Sequence, residues 1–336
     1  MTGYFIRRLL LIPPTLIGVT FLVFLITTKV PGGPIQQIEA QATMQSSNSG
    51  TGGATGGLTE AQIERLKEQF YLGDPLMIGY VKWLGDLCRG EFRVSFIHKQ
   101  PVENVIAKRV GISLYYGFAT LLIVYCISLP LGVFKAVRHN TFLDNSTSIL
   151  VFMGYAIPGY VLGILLWFHL AAGAGWFPDT GHKSLNFDEL SFFGKVGDLL
   201  HHSALPLLCY VIGQFAFVTF LMKNHLMENL AADYVRTAVA KGVPFRQAVR
   251  KHALRNSLIP IATNLGHQVG ALLGGSFLIE KIFNISGIGL LFFESIEDRD
   301  FPVLMILVLI TSTLMLIGNI VSDILVAIAD PRVSFR

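Results

Sequence analysis

Apolar residues along this chain gather into six runs of about twenty, separated by polar segments of very unequal length. A helix rising 1.5 Å per residue needs about 20 mostly apolar residues to cross ~30 Å of hydrocarbon, where no water can satisfy its backbone. The runs Leu9–Val30, Ile112–Phe134, Ile149–Ala172, Ala204–Met222, Leu258–Ile279 and Val303–Ile328 therefore predict six transmembrane helices in an all-α integral membrane protein. Thr27-Thr28-Lys29-Val30-Pro31 offers no small-x-small cleavage site, so the first run is expected to stay as a membrane helix rather than act as a signal peptide. Pro130, Pro158-Gly159, Pro206, Pro260, Gly270 and Gly274-Gly275 fall inside runs, where neighbouring helices can satisfy freed backbone groups and small residues permit close packing.

The polar segments suggest the organisation: an N-terminal helix (1–30), an extracytoplasmic loop domain (31–108), a membrane domain (109–330) with a cytoplasmic loop at 223–258, and a tail (331–336). Within the loop domain, Ser46 to Gly57 is rich in Gly, Ser and Thr. No Gly-Lys-Ser/Thr follows to reach a phosphate or hold Mg²⁺, so it reads as a flexible linker, not a phosphate loop. Thr59-Glu60-Ala61-Gln62, flanked by Leu58 and Ile63, fits a capping box with a hydrophobic staple, predicting a helix to about Phe70 stopped at Gly73-Asp74-Pro75. Tyr80, Trp83, Leu84 and Leu87 at i, i+3, i+4, i+7 predict a second helix ending at Gly90, and a third is expected from Pro101. Together they predict a helical cap offering a surface to a substrate-delivery protein.

Composition agrees with the pattern: of 336 residues 52% are apolar and 14% charged, against about 25% charged in a soluble domain. The net charge of +4 does not point to nucleic acid, because the basic residues flank apolar runs. Arg7, Arg8, Lys135, Arg138, the seven cations between Lys223 and Arg255, Arg332 and Arg336 mark one side as cytoplasmic, with both termini on it. Lys108 and Arg109 run against this bias, as snorkelling side chains of an interfacial helix can. Cys88, Cys126 and Cys209 are too scattered for a disulfide framework, and no metal site is expected.

The longest cytoplasmic interruption carries the most chemistry. Asn229 to Lys241 reads as a helix ended by Gly242, with Pro244 opening the next and Ala238, Ala240 and Gly242 keeping the corner small. Such a corner can enter a partner's groove and pass on rigid-body motion. In the fifth run, Thr263, Asn264, His267 and Gln268 form a polar stripe, either lining a solute path or hydrogen-bonding to neighbouring spans, and Asp323 near the inner end of the sixth either joins the path or pairs with a basic inner segment.

Asp233-Tyr234-Val235-Arg236-Thr237-Ala238-Val239-Ala240-Lys241-Gly242, followed by His252-Ala253-Leu254-Arg255-Asn256-Ser257-Leu258-Ile259-Pro260, resembles the EAA loop of bacterial ABC importer permeases in its oligopeptide/dipeptide form. Arg236 and Thr237 stand where Glu and Ala would be in the strict pattern. The resemblance extends to Tyr4-Phe5-Ile6-Arg7-Arg8-Leu9, Pro31-Gly32-Gly33-Pro34, Gly154-Tyr155-Ala156-Ile157-Pro158, Arg299-Asp300-Phe301-Pro302-Val303 and Asp330-Pro331-Arg332-Val333, and is nearest to the Yej branch. It implies a MetI-like, type I importer permease in the bacterial inner membrane, in contact with lipid. Its partners would be a second homologous permease, two cytoplasmic ATPase domains and an extracytoplasmic substrate-binding protein. It further implies no enzyme activity and no cofactor on this chain, ATP and Mg²⁺ being held by the ATPases. Coupling would fall to Asp233, Arg236, Thr237, Ala238, Lys241, Gly242 and Pro244, the path to Asn264, His267, Gln268 and Asp323, and an outer scoop for gating or binding-protein contact to Asn284, Gly287 and Gly289. Peptides are the implied solute, with a non-peptide such as a nickel chelate as the alternative. An ion-coupled secondary transporter would need inverted repeats and buried ion sites that the chain does not show.

Overall fold

The computed structural model describes residues 2–29, 71 and 74–329. The expected linker, the capping-box helix, Pro31-Gly32-Gly33-Pro34 and Asp330-Pro331-Arg332-Val333 lie outside them. In chain order the described helices are α1 (Thr2–Lys29), α2 (Leu76–Arg89), α3 (Val102–Val137), α4 (Phe142–Ala156), α5 (Gly159–Leu166), α6 (Phe192–Ala231), α7 (Asp233–Ala240), α8 (Phe245–Ala248), α9 (Leu254–Gly270), α10 (Phe277–Ile282), α11 (Ile288–Glu297) and α12 (Phe301–Ala329). The helices cluster into two compact units, one of Met1–Leu9, Arg109–Leu291 and Thr313–Arg336, the other of Leu10–Lys108 and Phe292–Ser312.

Among the described residues, four helices are long and apolar enough to cross a membrane: α1, α3, α6 and α12. The expected third span is a bent pair, Phe142–Ala156 and Gly159–Gly173, turned by 87°. The break falls at Ile157, held extended (φ −91, ψ 117) before Pro158. Contact between the proline ring and the preceding residue disfavours helix there. The fifth expected span is also interrupted: α9 stops at Gly270 after 17 residues, and α10 begins only at Phe277. Glycine at 270, 274 and 275 gives that stretch little helical propensity. The helix expected at Pro101 is not separate but forms the first turns of the 36-residue α3.

In the smaller unit the α2 pattern resolves as expected. Tyr80 is buried, Trp83, Leu84 and Leu87 lie half-buried along the same face, and Gly90 takes the left-handed conformation (φ +75) that closes the helix. The Tyr80 ring stacks on Trp83 at 5.9 Å and meets Phe21 and Phe24 edge-on, while its hydroxyl donates to the Ile17 carbonyl at 2.9 Å. Asp300, from the Arg299-Asp300-Phe301-Pro302-Val303 motif, is buried and accepts the Ser95 hydroxyl and the Phe96 N–H, tying the 95–97 turn to the start of α12.

In the larger unit, α9 and α12 approach at backbone distance. A Cβ added at Gly266 would lie 2.3 Å from the Ser322 Cα, and one at Gly318 would lie 2.6 Å from the Gly270 Cα. Gly266 and Gly270, four apart, thus face Gly318 and Ser322, also four apart, which is the small-xxx-small packing that apolar surroundings favour. Ser322 adds a hydrogen bond to the Thr263 carbonyl at 3.2 Å. Replacing Gly266 with Leu should lower the thermal midpoint of the detergent-purified protein by overpacking worth about 1–3 kcal/mol. Gly213→Ala, where a Cβ meets nothing within 4 Å, should leave the same melting curve in place.

Candidate functional site

The corner after α6 is built by local rules. At the end of α7 the Gly242 N–H donates to the Val239 carbonyl (2.9 Å) and the Val243 N–H to the Ala238 carbonyl (3.1 Å). This is the paired closure of a Schellman motif, and it requires the left-handed φ of +88 that Gly242 adopts. Val243 then turns inward to a cluster of Met222, Leu226, Val235, Ala248 and Ala253. Pro244 is the residue before α8 rather than its first helical residue, its carbonyl accepting the Gln247 and Ala248 N–H groups. With Val235 and Ala248 holding the inner face, Asp233, Arg236, Thr237, Lys241, Gly242 and Pro244 are left exposed and Ala238 half-exposed. Arg236 and Asp233 approach no closer than 4.0 Å with both side chains mostly in solvent, so that pair adds little to stability.

The second arm of the corner does not end at the membrane helix; it becomes it. α8 passes through a π turn, Val249–Ala253, directly into α9, so helix is unbroken from Phe245 to Gly270. Ser257 ties this rod to α6 by donating to the His225 carbonyl at 3.2 Å. Further along, Asn264 accepts the Tyr125 hydroxyl of α3 at 2.6 Å, and Gln268 borders a cavity, whereas His267 is exposed on another side of α9. The polar stripe is therefore split, with Asn264 and Gln268 turned into the unit. Asp323 does not join them. It takes the Tyr4 hydroxyl at 3.0 Å and the Arg8 guanidinium at 2.8 Å, two residues one helical turn apart on α1, which gives a physical role to the Tyr4…Arg8 motif.

Residues 128–335 match the family described as the binding-protein-dependent transport system inner membrane component. The chain belongs to that family. The permease is 34% identical over its whole length and the whole of the relative to the oligopeptide transport system permease AppB of Bacillus subtilis. It is 35% identical to the peptidoglycan transport system permease YejB of Agrobacterium fabrum (100% of this chain, 99% of the relative), and 33% to the dipeptide transport system permease DppB of Lactococcus lactis (99% of each). Its fold is shared with a chain of the inward-facing MetNI methionine ABC transporter, at a TM-score of 0.50 and 16% identity over 67% of this chain and 96% of that one. This is thus a multi-pass inner-membrane permease of an ABC importer, working with an ATPase and a substrate-binding protein and not itself an enzyme.

Two clusters of the permease escape sequence reasoning. The first is Glu280 in α10, 2% exposed. Its carboxylate accepts the Leu290 N–H and the Tyr210 hydroxyl (3.3 Å), the Gly289 N–H also points to it, and the Tyr210 hydroxyl in turn accepts the Ser276 N–H (3.2 Å). Gly287 and Gly289 are buried against it; a Cβ at Gly287 would sit 2.6 Å from its Cδ. Direct binding-protein contact through these two glycines is therefore corrected: they cradle a carboxylate, and only Asn284, at φ +50, is exposed. A glutamate directly after an apolar run and seven to nine residues before two glycines was the available signal.

The second cluster is Asp144, at the start of α4, with Lys135 of α3 and Lys223 of α6, all buried. Lys223 Nζ donates to both Asp144 oxygens (2.8 and 2.9 Å), and Lys135 Nζ lies 3.0 Å from Oδ1 while donating to the Asp144 carbonyl and the Thr147 and Ser148 hydroxyls. Lys223 follows Met222, part of the apolar seat of the coupling corner, so the triad joins the α3–α4 corner to the helix that carries that seat. In sequence both lysines count only as positive-inside charge.

Glu280→Ala would leave several donors unsatisfied. It should cost at least about 2 kcal/mol, read as a lower thermal midpoint in detergent and faster proteolysis of the 275–290 segment. Asp144→Asn should cost roughly 3–5 kcal/mol by stranding two ammonium groups. Adding Lys223→Met should recover part of that loss in the same melt, whereas additive losses would show that the two side chains are not coupled.

Proposed function

We propose that this permease carries peptides or peptide-like solutes inward by alternating access. It would pair with a second, non-identical permease and rest on two ATPase domains that hold the ATP and Mg²⁺. A binding protein would feed it from outside, lipid would surround it, and both termini would lie in the cytoplasm. The observation that carries this reading is the corner at 233–244: a rigid, Schellman-closed, solvent-facing helix end whose second arm is continuous with α9. A push on such a corner moves α9 as a rod, because packed helices shift as units. Full-length similarity to permeases named for oligopeptide and dipeptide transport supports the peptide solute over a nickel chelate. Asp233, Arg236, Thr237, Ala238, Lys241, Gly242 and Pro244 would meet the ATPases, and Asn264 and Gln268 would face the path. His267, being exposed, would serve it only from the side turned to the second permease.

A Cβ at Gly242 meets nothing within 4 Å, so Gly242→Trp costs the chain itself only about 1–2 kcal/mol of left-handed strain. If the corner sits in an ATPase groove, the bulky side chain should weaken docking tenfold or more, the effect of losing about 1.4 kcal/mol. The measurement is solute-stimulated ATPase activity in liposomes containing the complete transporter, with membrane insertion checked in parallel. Undiminished stimulation in the variant would sink the coupling assignment, and uptake of nickel chelates but not peptides would replace the solute.

A further inference from the structure

We propose that the cavity walled by Tyr116, Thr120, Tyr210, Gln214, Gln268 and Glu280 is a transit site for the main-chain amide groups of a peptide, an inference that rests on the peptide function above. The space measures about 80 Å³, below the range of pockets that enclose a whole drug-sized ligand, so it admits a peptide one part at a time and not as a whole. Its polar wall is built from four helices: Tyr116 and Thr120 one turn apart on α3, Tyr210 and Gln214 one turn apart on α6, Gln268 on α9 and Glu280 on α10.

Tyr116 and Thr120 are 4% and 5% exposed, yet the Tyr116 hydroxyl and Thr120 Oγ1 have no hydrogen-bond partner among the described residues. Buried hydroxyls are nearly always satisfied, because leaving one unmade forfeits its hydration with nothing in return. These two line the cavity, so a group entering it supplies what the fold does not. By contrast the Glu280 carboxylate is already occupied by the Leu290 and Gly289 N–H groups, and the Tyr210 hydroxyl by the Ser276 N–H.

What remains on offer is neutral: two hydroxyls and two primary amides, each able to donate and accept. Among the described residues no lysine or arginine lines the cavity, so a carboxylate or phosphate would be desolvated there without a counter-charge. A peptide amide, with one N–H and one C=O, matches the set, and Leu121, Ala271 and Leu272 give its side chains apolar wall. Gln268 is the wall residue on the α8–α9 rod; counted from Phe245 at 1.5 Å per residue, it lies roughly 35 Å from the coupling corner. Motion of the rod would then change the site's hydrogen bonding as it changes access.

The test uses the complete transporter, with its ATPases and binding protein, in liposomes supplied with a defined mixture of di- to hexapeptides and read by mass spectrometry of the lumen. Tyr116→Phe combined with Thr120→Val removes two hydroxyls that make no hydrogen bond among the described residues. Uptake at sub-saturating peptide should fall about 5- to 10-fold, the effect of one lost buried hydrogen bond or more, while the thermal midpoint stays level or rises. A structural role would instead lower the midpoint. Should the double variant fail to assemble, Tyr116→Phe alone is measured the same way, and a fall in its uptake supports the site. Unchanged uptake beside an active wild type overturns the site and leaves the peptide function standing. Wild-type liposomes that import none of the peptides overturn both.

Discussion

The backbone-close contact of α9 with α12 is the constraint on which the rest of the larger unit depends. Lipid supplies no hydrophobic force to hold two helices together, so association rests on van der Waals packing, which glycine allows to reach full depth. Gly266 and Gly270 against Gly318 and Ser322 give α9 a fixed seat along half its length. A helix so seated, and unbroken through the π turn from Phe245, behaves as one body. One end presents the coupling corner and the other ends in the glycine turn that borders Gln268 and Glu280.

Buried ionisable groups then mark the places where helices meet near their ends. Asp144 with Lys135 and Lys223, Glu280 within its ring of N–H donors, and Asp323 with Arg8 and Tyr4 each join segments distant in sequence. An ionisable group inside a membrane protein persists only when paired or hydrogen-bonded. Each cluster is therefore a specific lock, sensitive to removal of a single partner, and not a general contribution to stability. Their placement at helix ends leaves the long apolar faces free for lipid and for other subunits.

Much of the fold was readable in one dimension. Runs of twenty apolar residues, the period of Tyr80, Trp83, Leu84 and Leu87, and the glycine stops at Gly90 and Gly242 follow from local rules that hold wherever the segment sits. Pro158 and the glycines at 270–275 were visible too, but whether a helix tolerates such residues depends on what surrounds it, and here both sites became breaks. The polar stripe was read as one surface because spacing alone sets its face. Packing then divided it, giving Asn264 to Tyr125, leaving Gln268 at the cavity and turning His267 outward.

By itself, then, the sequence determined that the chain crosses a membrane several times, that it carries an exposed basic corner between two spans, and which ordered motifs tie it to importer permeases. These properties reside in hydropathy, charge and short-range propensity, each a function of neighbours within a few residues. Only the tertiary structure decided that α8 and α9 are one rod, that Asp323 answers Tyr4 across 319 residues of sequence and Arg8 one turn on, and that Gly287 and Gly289 enclose Glu280 instead of facing solvent. Those outcomes depend on which side chains meet after packing, and pairing across long sequence separations leaves no periodic trace in the chain.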